Sequence, residues 1–267
     1  MADHHRIPVH IRRRDIPEGG PVSVCLQLDV GNSRVKWRLL EQGELRDRGH
    51  FGHHDSAAKA RLLEPLGPEA NIWVSSVAGP EFEREFTALA ERLCGVSPWF
   101  ARSTARAGGV ANSYAQPSRM GVDRWLAMLG ARQRSRERLC VVDAGSALTI
   151  DIVSAAGQHE GGYIIPGPAL MERALLLDTD RVRFDEDVSY ALAPGTSTAE
   201  AVRHGIALAQ VGAVAAAIAH NGGEQPTLFF CGGAGETLRQ LLDRGGSYLP
   251  DLVFEGLEVQ AREVFTD

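Results

Sequence analysis

From residue 22 the chain moves between two rhythms of apolar and polar positions. Apolar side chains first run close together, Val22-Ser-Val-Cys-Leu-Gln-Leu, and stop at Asp29. After a turn at Gly31-Asn32-Ser33 they alternate singly, with Val35, Trp37 and Leu39 set against Lys36 and Arg38. A two-residue period belongs to a half-buried strand, so the pattern predicts a hairpin with an acid at its tip. Glu41-Gln42-Gly43-Glu44 then turns into a third strand, Leu45 to Phe51. Ser56 to Leu66 reads as a helix and Asn71 to Val77 as a strand. Pro80 stands where helices start, Phe82, Phe86, Leu89, Ala90 and Leu93 follow at helical spacing, and Gly95 closes the helix. A short strand at Pro98 to Ala101, a Gly/Ser/Pro-rich loop from Arg102 to Met120 and a helix marked by Val122, Trp125, Leu126 and Leu129 complete the first half.

The second half repeats the opening. Arg-Leu-Cys-Val-Val runs into Asp143, Gly145-Ser146 follows, and an alternating strand leads away. Gly43 lies 14 residues after Asp29, and Gly157 lies 14 residues after Asp143. A third strand leads into Gly161-Gly162-Tyr-Ile-Ile-Pro166-Gly167. Next come a helix at Ala169 to Leu177, a long one from about Thr198 to His220 with Ser197 and Glu200 as a capping box, and a strand at Thr227 to Cys231. Gly232-Gly233-Ala-Gly235 opens a further helix. A strand near Leu252 to Phe254 and a terminal helix end the chain. An offset of 114 residues between the two Asp-x-Gly turns is far too long for a solenoid repeat, so domain duplication is the economical account. Two α/β lobes, 22–137 and 138–267, would then face each other across a cleft, with the terminal helix packing back on the first.

Composition narrows the partners. The net charge of −6 gives no support for binding nucleic acid or an anionic membrane surface. All but two of the 28 basic residues are arginine, and one of the two lysines, Lys36, lies just beyond the first turn. The four cysteines lack any C-x-x-C spacing and three sit in apolar runs, which reads as small buried hydrophobes in a reducing cytoplasm. Residues 1–21 carry histidines, Arg12-Arg13-Arg14 and Gly19-Gly20-Pro21 without an apolar core, the pattern of a mobile extension rather than a signal peptide. The apolar run from Gly205 to Ala219 is short and broken by Gln210, so it reads as a buried helix. His50, His53 and His54 read as a solvated loop, and Asp151 and Glu160 as surface or sheet-edge charges.

A carboxylate, a glycine and small polar groups at a tight turn can hold a hydrated cation and a phosphate close to the backbone. No P-loop, no G-x-G-x-x-G after a strand and no protein-kinase signature is present. What remains is the pair of acidic turns plus the glycines at 232–235, where a flat ring or a phosphate can approach a helix N-terminus. Between the turns lies Tyr114, then Gly121-Val122-Asp123-Arg124. On composition Asp123 is either a first-turn acid complementing the helix dipole or a base for a hydroxyl proton, with Arg124 forking onto a substrate carboxylate.

In this order the motifs resemble the acetate and sugar kinase, Hsp70 and actin superfamily. More narrowly, Gly121-x-Asp-Arg and Gly-Gly-x-Ile-x-Pro-Gly167 resemble the type III pantothenate kinase family from Val22 to about Gly256. The resemblance implies two duplicated ribonuclease H-like lobes, each a mixed sheet with helices, and ATP-dependent phosphorylation of pantothenate at the head of coenzyme A synthesis. It implies ATP around Asp29, Val30, Gly31, Asn32, Ser33, Arg34, Val35 and Lys36, with Ser146 contributing from the second turn and Asp29 reaching Mg²⁺ through water. It further implies K⁺ or NH₄⁺ on Asp143, pantothenate on Tyr114, Gly121, Val122, Asp123 and Arg124 with Asp123 as base, and Thr198 reaching the substrate of the neighbouring subunit in a cytoplasmic homodimer. Ser146 and Cys231 stand where the family usually has Thr. A kinase of the same fold for another small acid or alcohol, and a non-catalytic nucleotide-binding regulator resembling Bvg accessory factor, are the alternatives.

Overall fold

A computed structural model describes residues 23–178, 182–220 and 225–265. The expectation for residues 1–21 lies outside them. The chain opens with a meander, β1 (Val24–Val30), β2 (Arg34–Glu41) and β3 (Glu44–Gly52), followed by α1 (Ser56–Leu63), β4 (Asn71–Ser76), α2 (Pro80–Cys94) and β5 (Trp99–Phe100). A two-residue hairpin, β6 (Arg106–Ala107) with β7 (Val110–Ala111), and a 3₁₀ turn at Pro117–Arg119 break up what the composition suggested was plain loop. Then come α3 (Val122–Arg134), β8 (Leu139–Ala144), β9 (Ala147–Val153), β10 (His159–Pro166), α4 (Pro168–Asp178) and α5 (Thr198–His220). The chain closes with β11 (Thr227–Cys231), α6 (Gly235–Leu242), β12 (Ser247–Tyr248) and α7 (Leu252–Phe265).

Two five-stranded sheets have the same topology, β3-β2-β1-β4-β5 and β10-β9-β8-β11-β12. In each, three antiparallel strands are followed by two parallel ones. The turns that join the second and third strands use positive φ at Gly43 and at Gly157, which explains why glycine recurs at the same distance from each acid. On β1, Leu26, Leu28 and Val30 point into a core built with α1 and α2. On β8, Cys140, Val142 and Ala144 point into the core under α5 and α6, whereas Leu139 and Val141 face a central cluster. That central cluster is formed by α3 and α7 and is flanked by Trp73 and Trp99 of the first sheet and Phe229 of the second. Strand alternation therefore turns Asp29, in phase with Gln27, and Asp143, in phase with Val141, toward the side where α3 begins.

Three expectations change. Leu252 to Phe254 is not a strand but the first turn of α7, because the sheet already ends at β12, where Leu249 N–H bonds Phe230 O at 2.7 Å. All three side chains are buried between the sheets, so no helical period shows in that run. The helix α5 is buried on one face only. It is long and apolar enough to cross a membrane by length and composition, yet Ile206, Gln210, Val214 and Ile218 pack inward while Leu208 is 61% exposed. The capping box at its start is half made. Ser197 Oγ accepts from Glu200 N–H at 3.2 Å, but the Glu200 carboxylate takes the N–H and hydroxyl of Thr196 instead of reaching Ser197.

Candidate active site

The two acidic turns meet at their tips, where Ser33 Oγ lies 3.2 Å from Ser146 Oγ. Both serines are exposed, so the meeting point is open to solvent. Behind it Asp29 and Asp143 are half-buried, and Asp123 joins them from the first turn of α3. The three carboxylates and Lys36 share one electrostatic neighbourhood. Burial pushes Asp29 up to about 7, with Lys36 opposing and Asp143 and Asp123 adding to the rise. Asp143 is pushed up to about 6 by burial, again against Lys36. Asp123 is also raised by burial, against the backbone N–H of Arg124, which its Oδ1 accepts at 2.8 Å. Three crowded acids with one lysine form a site short of positive charge. No group of three His, Cys, Asp or Glu converges as a ready metal cage among the described residues. Such a set fits a hydrated cation shared with phosphate oxygens better than a stripped one held by protein alone.

Burial limits which atoms of the flanking residues a ligand could reach. Val30 and Val35 are core residues at 1% and 0% exposure, and Val122 is also buried, so at these positions only the main chain is free to face a ligand. Asn32, Ser33, Arg34 and Lys36 are exposed around the first turn, and Gly31 N–H closes it onto Arg34 O at 3.0 Å. Gly232, at φ +79°, leaves a gap that the Asp143 carboxylate and Ala144 backbone fill, so any side chain there would displace the acid. Thr198 stands exposed at the start of α5, and no hydrogen bond or ion pair joins it to the other site residues among the described residues.

Arg124 holds the largest correction. Asp151 is not a surface charge but 2% exposed, and its carboxylate takes Arg124 Nε at 2.9 Å and Nη2 at 2.5 Å. His159, 1% exposed, adds its Nε2 at 3.0 Å from the same carboxylate, while its Nδ1 lies 2.8 Å from Ser113 Oγ. Tyr114 OH accepts from Arg124 Nη1 at 3.0 Å, and its ring stacks on His159. The signal for Asp151 was present but unread. A lone acid between Ile150 and Ile152 on a strand hydrogen-bonded on both sides has no edge to escape to. Glu160 does lie at the surface, paired with Arg138 at 2.7 Å. His53 rests on the Phe82 ring. A groove of about 850 Å³ between β2, β3 and α1 includes none of the predicted site residues.

The sequence profile of type III pantothenate kinases matches residues 25–220, which takes in both turns, α3 and the Gly-Gly motif. The chain belongs to the type III pantothenate kinase family. It is 36% identical over 240 residues to the type III pantothenate kinase of Hahella chejuensis, covering 90% of this chain and 98% of that one. Among solved structures, a Campylobacter jejuni protein assigned to the Baf family of transcriptional activators superposes with a TM-score of 0.59 at 24% identity, covering 91% of this chain and all of the other. A Sinorhizobium meliloti protein named for 2-dehydro-3-deoxygalactonokinase gives 0.61 at 15% identity, over 90% and 96% of the two chains. At such identities these two likenesses speak for the fold alone, that of the sugar kinases and actin-like ATPases.

Proposed function

We propose that this chain transfers the terminal phosphoryl group of ATP to the primary hydroxyl of pantothenate, giving 4'-phosphopantothenate. Family membership supports the activity, and the observation that carries its location is the meeting of the two acidic turns over Asp123. The turn from Asp29 to Lys36 cradles the phosphates from one side, with Lys36 as a charge partner. Ser146 offers its hydroxyl from the other. Residues 22–137 and 138–267 act as two lobes that close on the nucleotide. Asp29 would hold Mg²⁺ and Asp143 would hold K⁺ or NH₄⁺, cations that when bound would offset the charge of the phosphates.

Tyr114, Gly121, Val122 and Arg124 orient the acid substrate, Arg124 through its guanidinium. Asp123, raised above the ordinary carboxylate range and so a stronger base, takes the hydroxyl proton. The freed oxygen forms its bond to phosphorus as the bond to the departing ADP oxygen breaks. The enzyme is a cytoplasmic homodimer in which Thr198 reaches the substrate of the neighbouring subunit. An exposed stretch of α5 supports the pairing, with Leu208 61% exposed beside Gly205 and Gly212, which have open space above them. The roles are tested by Asp123→Asn, which should fold as the parent and lose about 10²–10⁴ in turnover. Parental turnover would remove Asp123 as the base.

A further inference from the structure

We infer that Asp151 and His159 are positioning residues for substrate recognition: they fix Arg124 and Tyr114 in the orientation that receives the carboxylate of the acid substrate. The inference rests on the reading of Arg124 as the carboxylate's partner and goes beyond it, since neither residue was assigned a role by sequence pattern.

Three observations carry it. First, Asp151 occupies one edge of the Arg124 guanidinium, taking Nε and Nη2, while Tyr114 takes one proton of Nη1. A guanidinium has five N–H groups, so one remains on each terminal nitrogen. One N–H on each terminal nitrogen is the number that a two-bond grip on a carboxylate requires. Arg124 is 5% exposed, and Asp151 is the carboxylate that pairs with it directly, through two bonds on one edge that fix the rotation of the guanidinium. Second, His159 ties the same carboxylate at 3.0 Å and stacks against Tyr114 at 6.3 Å between ring centres. It therefore braces both residues that face the substrate. The Tyr114 hydroxyl already accepts from Arg124, which leaves its own proton to donate elsewhere.

Third, the space for this assembly is written into the Gly-Gly motif. Gly162 lies directly opposite Asp151 in the ladder between β9 and β10. A Cβ built on it would strike Asp151 Oδ1 and Ile150 O, and would come within 2.8 Å of Arg124 Nη2. A register shift between His159 and Gly161 places that strand so that His159 turns inward and Gly162 falls under the ion pair. The motifs at 121–124 and 161–167, separate in sequence, are thus two sides of one buried contact.

The test compares steady-state constants of the full-length protein for both substrates. His159→Phe keeps an aromatic ring and removes the bond to Asp151, whereas His159→Gln keeps an N–H at nearly the same reach. Asp151→Asn removes the charge at constant shape. The expected result is a rise in KM for pantothenate of roughly 10- to 100-fold for His159→Phe and Asp151→Asn, with kcat and KM for ATP within about threefold of the parent. His159→Gln should recover most of the loss. A merely structural role would lower kcat and raise both KM values together, or would not be rescued by glutamine, and either result overturns the inference. Arg124→Lys separates the two layers. An unchanged pantothenate KM in that variant refutes the reading of Arg124 itself, while a raised KM there with parental values for His159→Phe and Asp151→Asn refutes only the positioning roles.

Discussion

The two hairpins share a backbone and differ in what stands beside the acid. Asp29 faces Lys36 across the ladder and Ser75 along the parallel pair. Asp143 faces Thr149 and Cys231 at the equivalent positions. The duplication thus kept the carboxylate and changed its company. The first turn carries its own cation, while the second has Thr149 at the matching place and draws on Lys36 of the first hairpin. That difference gives a physical reason to put phosphate with its Mg²⁺ beside the first turn and a monovalent cation beside the second.

The largest effects should come from neutralising each acid in turn. Asp29→Asn is expected to lower turnover by about 10²–10³ at every K⁺ concentration, the cost typical of removing one group that stabilises transferring charge. Asp143→Asn should lose about tenfold or more and, unlike the parent, show no further response to added K⁺. Matching K⁺ responses in the two variants, measured by ADP release, would erase the distinction between the turns.

A smaller effect concerns stability. Both carboxyls have folded values above the ordinary 3.8, at about 7 for Asp29 and about 6 for Asp143. Their contribution to stability is full below the unfolded value and is lost as pH rises through the folded ones, since ionising them in place is costly. Metal-free protein should therefore melt at a lower temperature at about pH 8 than at about pH 5.5, and Asp29→Asn should flatten the slope. Mg²⁺ and K⁺ should restore more stability at the higher pH. A melting temperature that rises with pH in metal-free buffer would contradict the raised values. Smallest of all, Cys231→Ser beside Asp143 and Ser75→Ala beside Asp29 should each change stability by no more than about 1.5 kcal/mol, read from denaturant melts. A larger loss in only one of them would show that the acids depend unequally on their neighbours.

Much of the fold was legible because its signals are local. The period-two strands, the Pro80 start, the Gly95 stop and the repeated Asp-x-Gly turns each rest on a few adjacent residues. What escaped was set by burial on all sides. Leu252-Val253-Phe254 looks like a strand because every face of that helical turn is covered, and Asp151 looks like a surface charge because its partners, Arg124 and His159, come from other elements. The candidate site was legible as a set of motifs. Their junction was not, because Gly162 reveals its purpose only when Arg124 lies over it.

The central claim is that two unlike acidic turns hold the nucleotide and a cation over Asp123. Coupled ADP release with pantothenate as acceptor, run with K⁺ and with Na⁺ as the only monovalent cation, tests it most directly. The account predicts pantothenate-dependent ADP release that collapses when K⁺ is absent. Release that ignores pantothenate, or that proceeds equally in Na⁺, would contradict it.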